Sequence, residues 1–195
     1  IDYMEGCKIE VDGIDVYPLK SRPEVVKNKV NCLTRLGKYE KAADLIYGLW
    51  QSGNKDSDTL SMLAAQYKRR ALYNTKGVID KSCVNFELLK RAKNIYLEAF
   101  RIDISNFYPA INAAYLCIMI KEEEASGHKL ATYIEEAWGD RQGENWWLDA
   151  TLAEAELLQY EYRKSLLKFK EAMHKHTPYY FDVHSTFEQI NSYAQ

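Results

Sequence analysis

The chain has 195 residues, of which 47% are hydrophobic and 28% charged, and its formal net charge is −2 at pH 7. This composition is typical of a globular domain or a short repeat array and excludes a disordered chain. The near-neutral charge predicts no general affinity for nucleic acid. The longest apolar run, residues 113–120, falls far short of the roughly 18 residues that span a bilayer, so we expect no membrane association.

The cysteine pattern indicates reduced thiols rather than a metal or disulfide site. Cys7, Cys32, Cys83 and Cys117 form no C-x-x-C pair, and no histidine lies at metal-ligand spacing from them. We therefore predict no metal, no cofactor and a cytoplasmic location.

Residues 1–22 are predicted to be an N-terminal extension. The alternation around Lys8-Ile9-Glu10-Val11 is consistent with a short strand, which Gly13 and Pro18 would interrupt. Because the chain begins with Ile rather than Met, we expect it to be a piece of a longer protein.

A first helix pair is predicted around a tight turn at Gly37-Lys38-Tyr39. Apolar residues recur at helical spacing on both sides of this turn, which is typical of helices that face a core. They are Val26, Val30 and Leu33 before the turn, and Ala42, Ile46 and Leu49 after it.

A second pair begins at about Ser57, thirty-four positions after Pro23. Its first helix carries Leu60, Leu63, Ala64 and Tyr67, and its second carries Ala92, Tyr96 and Ala99. The separation between these two sets predicts an insertion near residues 70–86.

The third pair repeats the pattern as Tyr108-x2-Ile111-Asn112-x2-Tyr115, followed by Ile134 and Ala137. Ser126-Gly127 is its predicted turn, and the acidic run at 122–124 is predicted to be a solvated helix end. This register places Asn112 at the close contact within the helix pair, where its amide must form hydrogen bonds to avoid a desolvation cost of about 1–3 kcal/mol.

A weaker fourth pair is predicted from Leu152, Ala153 and Glu156 to Ser165, Phe169 and Ala172, and Pro178 ends it. Residues 182–195 are predicted to form a capping helix with Phe187 and Ile190 inward. The repeats then span residues 23–181.

These segments resemble tetratricopeptide (TPR) repeats, whose signature is W-x2-L-G-x2-Y followed by A-x3-F over about 34 residues. The resemblance implies an all-α, TPR-like right-handed superhelix of antiparallel helix pairs. Residues 24–193 also resemble the TRAFs-binding domain, the TPR-type region of apoptosis signal-regulating MAP kinase kinase kinases and of bacterial relatives. The most specific block is Tyr108-Pro109-Ala110-Ile111-Asn112-Ala113-Ala114.

The resemblance implies binding residues on the first helix of each repeat, which lines the concave groove of a TPR array. Carried over, these candidates are Lys27, Asn31, Arg35, Ser61, Lys68, Arg69, Asn106, Asn112, Trp147 and Glu154. Their basic members would attract a carboxylate-rich or phosphorylated ligand, although a solvated charged face is the alternative. Of the adjacent Trp146 and Trp147, one is expected in the core and the other near the surface.

Catalytic patterns are missing from the sequence: it has no Gly-rich phosphate loop, no H-E-x-x-H and no G-x-S-x-G. We therefore predict a non-enzymatic regulatory or scaffolding module of a larger signalling protein, which binds another protein or a neighbouring domain of the same chain. The alternative is a sensor of a small anionic, nucleotide-like ligand in the groove.

Overall fold

A computed structural model describes residues 22–73 and 84–180, the backbone of 9–11 and 14–16, and residues 182–184, 186–187 and 190. Near the N-terminus, strand β1 (Ile9–Val11) pairs antiparallel with β2 (Ile14–Val16), so that Ile9 lies opposite Val16. The strand predicted around residues 8–11 is found at Ile9–Val11, and a second strand follows it.

Between residues 22 and 180, the described ranges contain eight α-helices, and each pairs with its neighbour along the chain. They are α1 (Pro23–Arg35), α2 (Tyr39–Gln51), α3 (Ser57–Leu72), α4 (Phe86–Ile102), α5 (Phe107–Met119), α6 (Glu124–Trp138), α7 (Trp146–Leu158) and α8 (Tyr162–His176). Short 3₁₀ turns at Lys121–Glu123 and Gly139–Arg141 flank α6. Because α1 packs on α2, α3 on α4, α5 on α6 and α7 on α8, the predicted all-α fold of helix pairs is confirmed.

The predicted turn of the first pair lies where the sequence placed it. Gly37 has a φ of +69°, a conformation that glycine adopts without a steric penalty. The Lys38 N–H donates to the Leu33 carbonyl at 2.9 Å and so closes the end of α1. Pro23 occupies the first position of α1, where its missing N–H costs no hydrogen bond.

Side-chain caps begin α3, α4, α5 and α7. In each of these helices, a side-chain oxygen of the preceding residue accepts a hydrogen bond from a backbone N–H in the first turn. The capping residues are, in helix order, Asp56, Asn85, Asn106 and Asn145. Such caps contribute about 1 kcal/mol each to helix stability. Helices α1, α2, α6 and α8 have no side-chain cap.

The described core consists mainly of two apolar clusters that share Tyr67 and Ile95 as packing partners. The smaller one joins α1 and α2 to Leu63 of α3, and the larger one runs from α3 to α7. Most residues that the first two repeats were predicted to bury are buried in the structure, including Val30, Ala42, Ile46, Ala92, Tyr96 and Ala99, whereas Leu33 and Tyr67 are only partly buried.

Repeat three differs from the sequence prediction. Ser126 and Gly127 lie inside α6 rather than in a turn, and the chain reverses at residues 120–123. A Cβ added to Gly127 would lie 2.8 Å from the Ala114 carbonyl oxygen. Ala114 and Gly127 therefore form the close contact between α5 and α6, and the prediction that Asn112 occupies it was wrong.

Three further predictions need correction. Ala137 is exposed, because α6 buries Ala131, Ile134 and Trp138 instead. The acidic run is not simply solvated, since Glu123 forms an ion pair with the buried Lys93 of α4. Phe187 was predicted to face inward but is half exposed.

The remaining predicted segments are described only in part. Helix α3 continues to Leu72, within the predicted insertion at 70–86, and residues 74–83 lie outside the described residues. Most of the extension at 1–22 also lies outside them. In the proposed capping segment 182–195, the described residues are helical.

Candidate functional site

The odd-numbered helices line one side of the stack. Helix α3 packs against α5, and α5 packs against α7. Among the described residues, no two even-numbered helices pack against each other to the same degree. The odd-numbered helices are therefore closer together, as expected for the inner side of a curved repeat array. We call the surface of α1, α3, α5 and α7 the inner face.

A polar cluster lies on the inner face where α3 and α5 meet. The Lys68 ammonium group donates to Oδ1 of Asn112 at 2.5 Å, and Nδ2 of Asn112 donates to the Tyr108 carbonyl at 2.9 Å. The same ammonium group lies 5.7 Å from the centre of the Tyr115 ring, within the range of a cation–π interaction. Asn112 therefore forms the hydrogen bonds that its burial requires, and one of them joins two repeats.

Glu154 of α7 adds a carboxyl group to this cluster and interacts electrostatically with Lys68. Burial, together with the positive charge of Arg69, lowers the pKa of Lys68 to about 7, although Glu154 opposes the shift. Burial also raises the pKa of Glu154 to about 7, against the effect of Lys68. Both side chains therefore change charge near neutral pH, and we call Lys68, Asn112, Tyr115 and Glu154 the Lys68 cluster.

Aromatic rings flank the cluster. The Arg69 guanidinium lies 6.0 Å from the centre of the Tyr39 ring, which belongs to α2. The Tyr96 and Tyr108 rings meet edge to face at 6.2 Å, and burial raises the pKa of Tyr96. Burial of the Lys68 ammonium group is the main reason that its charge is destabilised.

Lys27 and Asn106 have structural roles. The Lys27 ammonium group pairs with Asp56 at 2.7 Å and so ties α1 to the N-cap of α3. Asn106 caps α5 and donates to Ser57 at 3.3 Å. Lys27 is therefore neutralised within the protein, and Asn106 fixes the start of a helix.

The other sequence candidates are spread along the inner-face helices. Ser61 is buried in α3, while Asn31 and Arg35 are exposed on α1. Trp147 is 48% exposed at the start of α7, and Trp146 is buried, as expected for the pair. Of the ten candidates, the structure thus brings Lys68, Asn112 and Glu154 together, with Arg69 beside them.

Tyr115 is a cluster residue that the sequence analysis assigned only to the repeat pattern. Its ring lies under the Lys68 ammonium group, and an aromatic residue on a groove-lining helix is the signal that could have identified it. The cluster can exchange a proton near neutral pH and can accept a charged partner. In the described part of the chain, His, Cys, Asp and Glu side chains form no group of three or more that could hold a metal ion.

Among the described residues, no helix is both long enough and apolar enough to cross a bilayer.

Comparisons with known proteins agree with the helix-pair architecture. The family model described as Tetratricopeptide Repeats-Sensor matches residues 10–117, which is more than half of the chain. The fold is similar to the crystal structure of TTC0263, a thermophilic TPR protein in Thermus thermophilus, with a TM-score of 0.58 and 14% sequence identity. That likeness covers 87% of this chain and 81% of the other. No curated protein matches the sequence.

Proposed function

Because this chain belongs to the Tetratricopeptide Repeats-Sensor family, we propose that it is a non-enzymatic regulatory or scaffolding module whose inner face binds another protein or a neighbouring domain. TPR-like repeats generally mediate protein interactions, and their stacked helices present an extended surface. The resemblance to TRAFs-binding domains further suggests that the chain is the regulatory part of a larger, cytoplasmic signalling protein.

The observation that carries this proposal is the Lys68 cluster. It combines side chains from three successive repeats, so a ligand that binds there senses the relative positions of α3, α5 and α7. Lys68 already has the Glu154 carboxyl group nearby. An acidic side chain of a partner would interact with Lys68 in the same way.

A second candidate function is the recognition of a small anionic, nucleotide-like ligand by the same cluster. The family's description as a sensor favours it, and the Lys68 ammonium group would pair with the anionic group of such a ligand. The two candidates differ in ligand size rather than in the residues they use.

A substitution at Lys68 tests both candidates. We expect Lys68→Met, which keeps the length of the side chain and removes its charge, to weaken binding about tenfold, equivalent to about 1.4 kcal/mol. The measurement is calorimetric titration with a short glutamate-rich peptide and, separately, with ADP. Loss of peptide binding alone supports the interaction module, and loss of ADP binding alone supports the sensor.

The matched control is Lys29→Met, because Lys29 is an exposed lysine of α1. Circular dichroism of both variants checks that the helices are intact. If wild-type protein binds neither probe, or if Lys68→Met and Lys29→Met bind as tightly as wild type, the inner-face proposal is wrong.

A further inference from the structure

A second recessed site lies on the opposite side of α3, between α2 and α4. It is a cavity of about 240 Å³ lined by Ala43, Asp44, Tyr47, Leu63, Gln66, Tyr67, Arg70 and Arg91. Pockets for drug-sized ligands are commonly about 300–1,000 Å³, so this cavity suits a smaller molecule.

This cavity and the Lys68 cluster lie on different faces of α3. Leu63, Gln66, Tyr67 and Arg70 recur at the i, i+3, i+4 and i+7 positions of one face of α3. Lys68 belongs to another face of the same helix, which points toward Asn112 of α5. The cavity therefore opens on the side of the even-numbered helices and is distinct from the inner face.

Gln66 has a buried acceptor without a donor. The residue is only 3% exposed, and its Nε2 atom donates to the Thr34 hydroxyl at 3.3 Å. Its Oε1 atom is buried and has no hydrogen-bond partner among the described residues. That atom is closed to solvent, so Gln66 helps to form the wall of the cavity but offers no acceptor to a ligand.

Two guanidinium groups give the cavity a positive wall. Arg70 and Arg91 are exposed, and within residues 22–73 and 84–180 neither lies within ion-pair distance of a carboxylate. The Arg91 guanidinium lies 4.4 Å from the centre of the Tyr67 ring, which restricts its position. Guanidinium groups bind carboxylates and phosphates through paired hydrogen bonds, so these two arginines suit an anion.

Asp44 gives the same cavity a negative group on α2. A simple anion would be repelled by this carboxylate, whereas a ligand that also carries an ammonium group would be attracted. The arginine pair and the Asp44 carboxylate together describe a ligand that carries both a negative and a positive charge.

We propose that this cavity binds a small zwitterion of amino-acid size, with its phosphate or carboxylate at Arg70 and Arg91 and its ammonium group toward Asp44. The proposal is independent of the inner face, because it uses another side of α3.

Calorimetric titration with O-phospho-L-serine and with inorganic phosphate tests the proposal. We expect the phosphoamino acid to bind more tightly than phosphate, and the variants Arg70→Gln and Arg91→Gln to weaken its binding about tenfold each. Asp44→Asn is expected to weaken binding of the phosphoamino acid but not of phosphate, because only the former carries an ammonium group.

Two control variants locate the site. Arg163→Gln removes an exposed arginine of α8, and Arg101→Gln removes an exposed arginine from the last turn of α4; neither residue lines the cavity. Both are expected to keep the wild-type affinity. The proposal is overturned if O-phospho-L-serine does not bind, if phosphate binds as tightly, or if the arginine variants weaken binding no more than Arg163→Gln.

Discussion

Lys68 and Glu154 have pKa values near 7 for the same reason, which is that burial destabilises the charged form of each. The folded pKa of Glu154 is raised, so its contribution to stability is fully present below about 4.5 and is lost as the pH rises through about 7. The folded pKa of Lys68 is lowered, so the unfolded chain binds more protons above pH 7. Lys68 therefore makes stability rise from about pH 7 to about 10.5.

Urea unfolding at a series of pH values separates the two residues. We expect Glu154→Gln to flatten the fall in unfolding free energy between about pH 4.5 and 7, and Lys68→Met to flatten the rise above about pH 7. Glu136→Gln, at an exposed position of α6, is the control and should leave both slopes unchanged. Identical pH profiles for Glu154→Gln and wild type would contradict the assigned burial of that carboxyl group.

Asn112 shows what the sequence could and could not predict about the site. The repeat pattern identified Lys68, Asn112 and Glu154 as candidates on first helices, but spacing alone could not show that they meet. Either Asn112 or one of the small residues Ala113 and Ala114, which follow it directly, could occupy the close contact between the two helices of repeat three. Only the position of Gly127 against the Ala114 carbonyl decides between them, and that contact joins residues of different helices.

For the helices, the wrong prediction concerned a glycine, Gly127, which lies inside α6 rather than in a turn. Gly127 was interpreted as a turn because glycine commonly interrupts helices, but here it allows α5 and α6 to approach each other closely. The predicted turn between α1 and α2 was correct because apolar residues at helical spacing and Gly37 pointed to the same place.

Alanine substitutions at two helical glycines are expected to have opposite effects. In Gly127→Ala, the new Cβ would meet the Ala114 backbone and Ile118, so we expect destabilisation of about 1–3 kcal/mol by overpacking. In Gly48→Ala, the Cβ meets nothing within 4 Å in an exposed part of α2, so we expect stabilisation of about 0.5–1 kcal/mol. Chemical denaturation measures both, and equal effects would refute the close contact.

For the whole molecule, burial is uneven along the stack. Residues 109–117 of α5 are all buried, whereas α1 buries only Val26 and Val30, and α8 buries only Ser165 and Ala172. In a repeat array each helix is stabilised by its neighbours. Within the described residues the outer helices α1 and α8 pack against only one neighbouring repeat, so we expect them to open more easily.

Amide hydrogen exchange followed by mass spectrometry should show this gradient. We expect the amides of α1 and α8 to exchange before those of α5, because opening an outer repeat exposes less apolar surface than opening a central one. Uniform exchange from α1 to α8 would instead indicate a single cooperative unit, in which segments outside the described residues stabilise the outer helices.

The placement of the helix caps has a consequence for folding during synthesis. The first helices of repeats three and four are capped by Asn106 and Asn145, whereas their partners, α6 and α8, have no side-chain cap. On the ribosome, the capped helix of each of these repeats leaves the exit tunnel before its partner. The uncapped helix of the pair then emerges beside a formed surface on which it can dock, and α4, which follows a longer connection, carries its own start signal at Asn85.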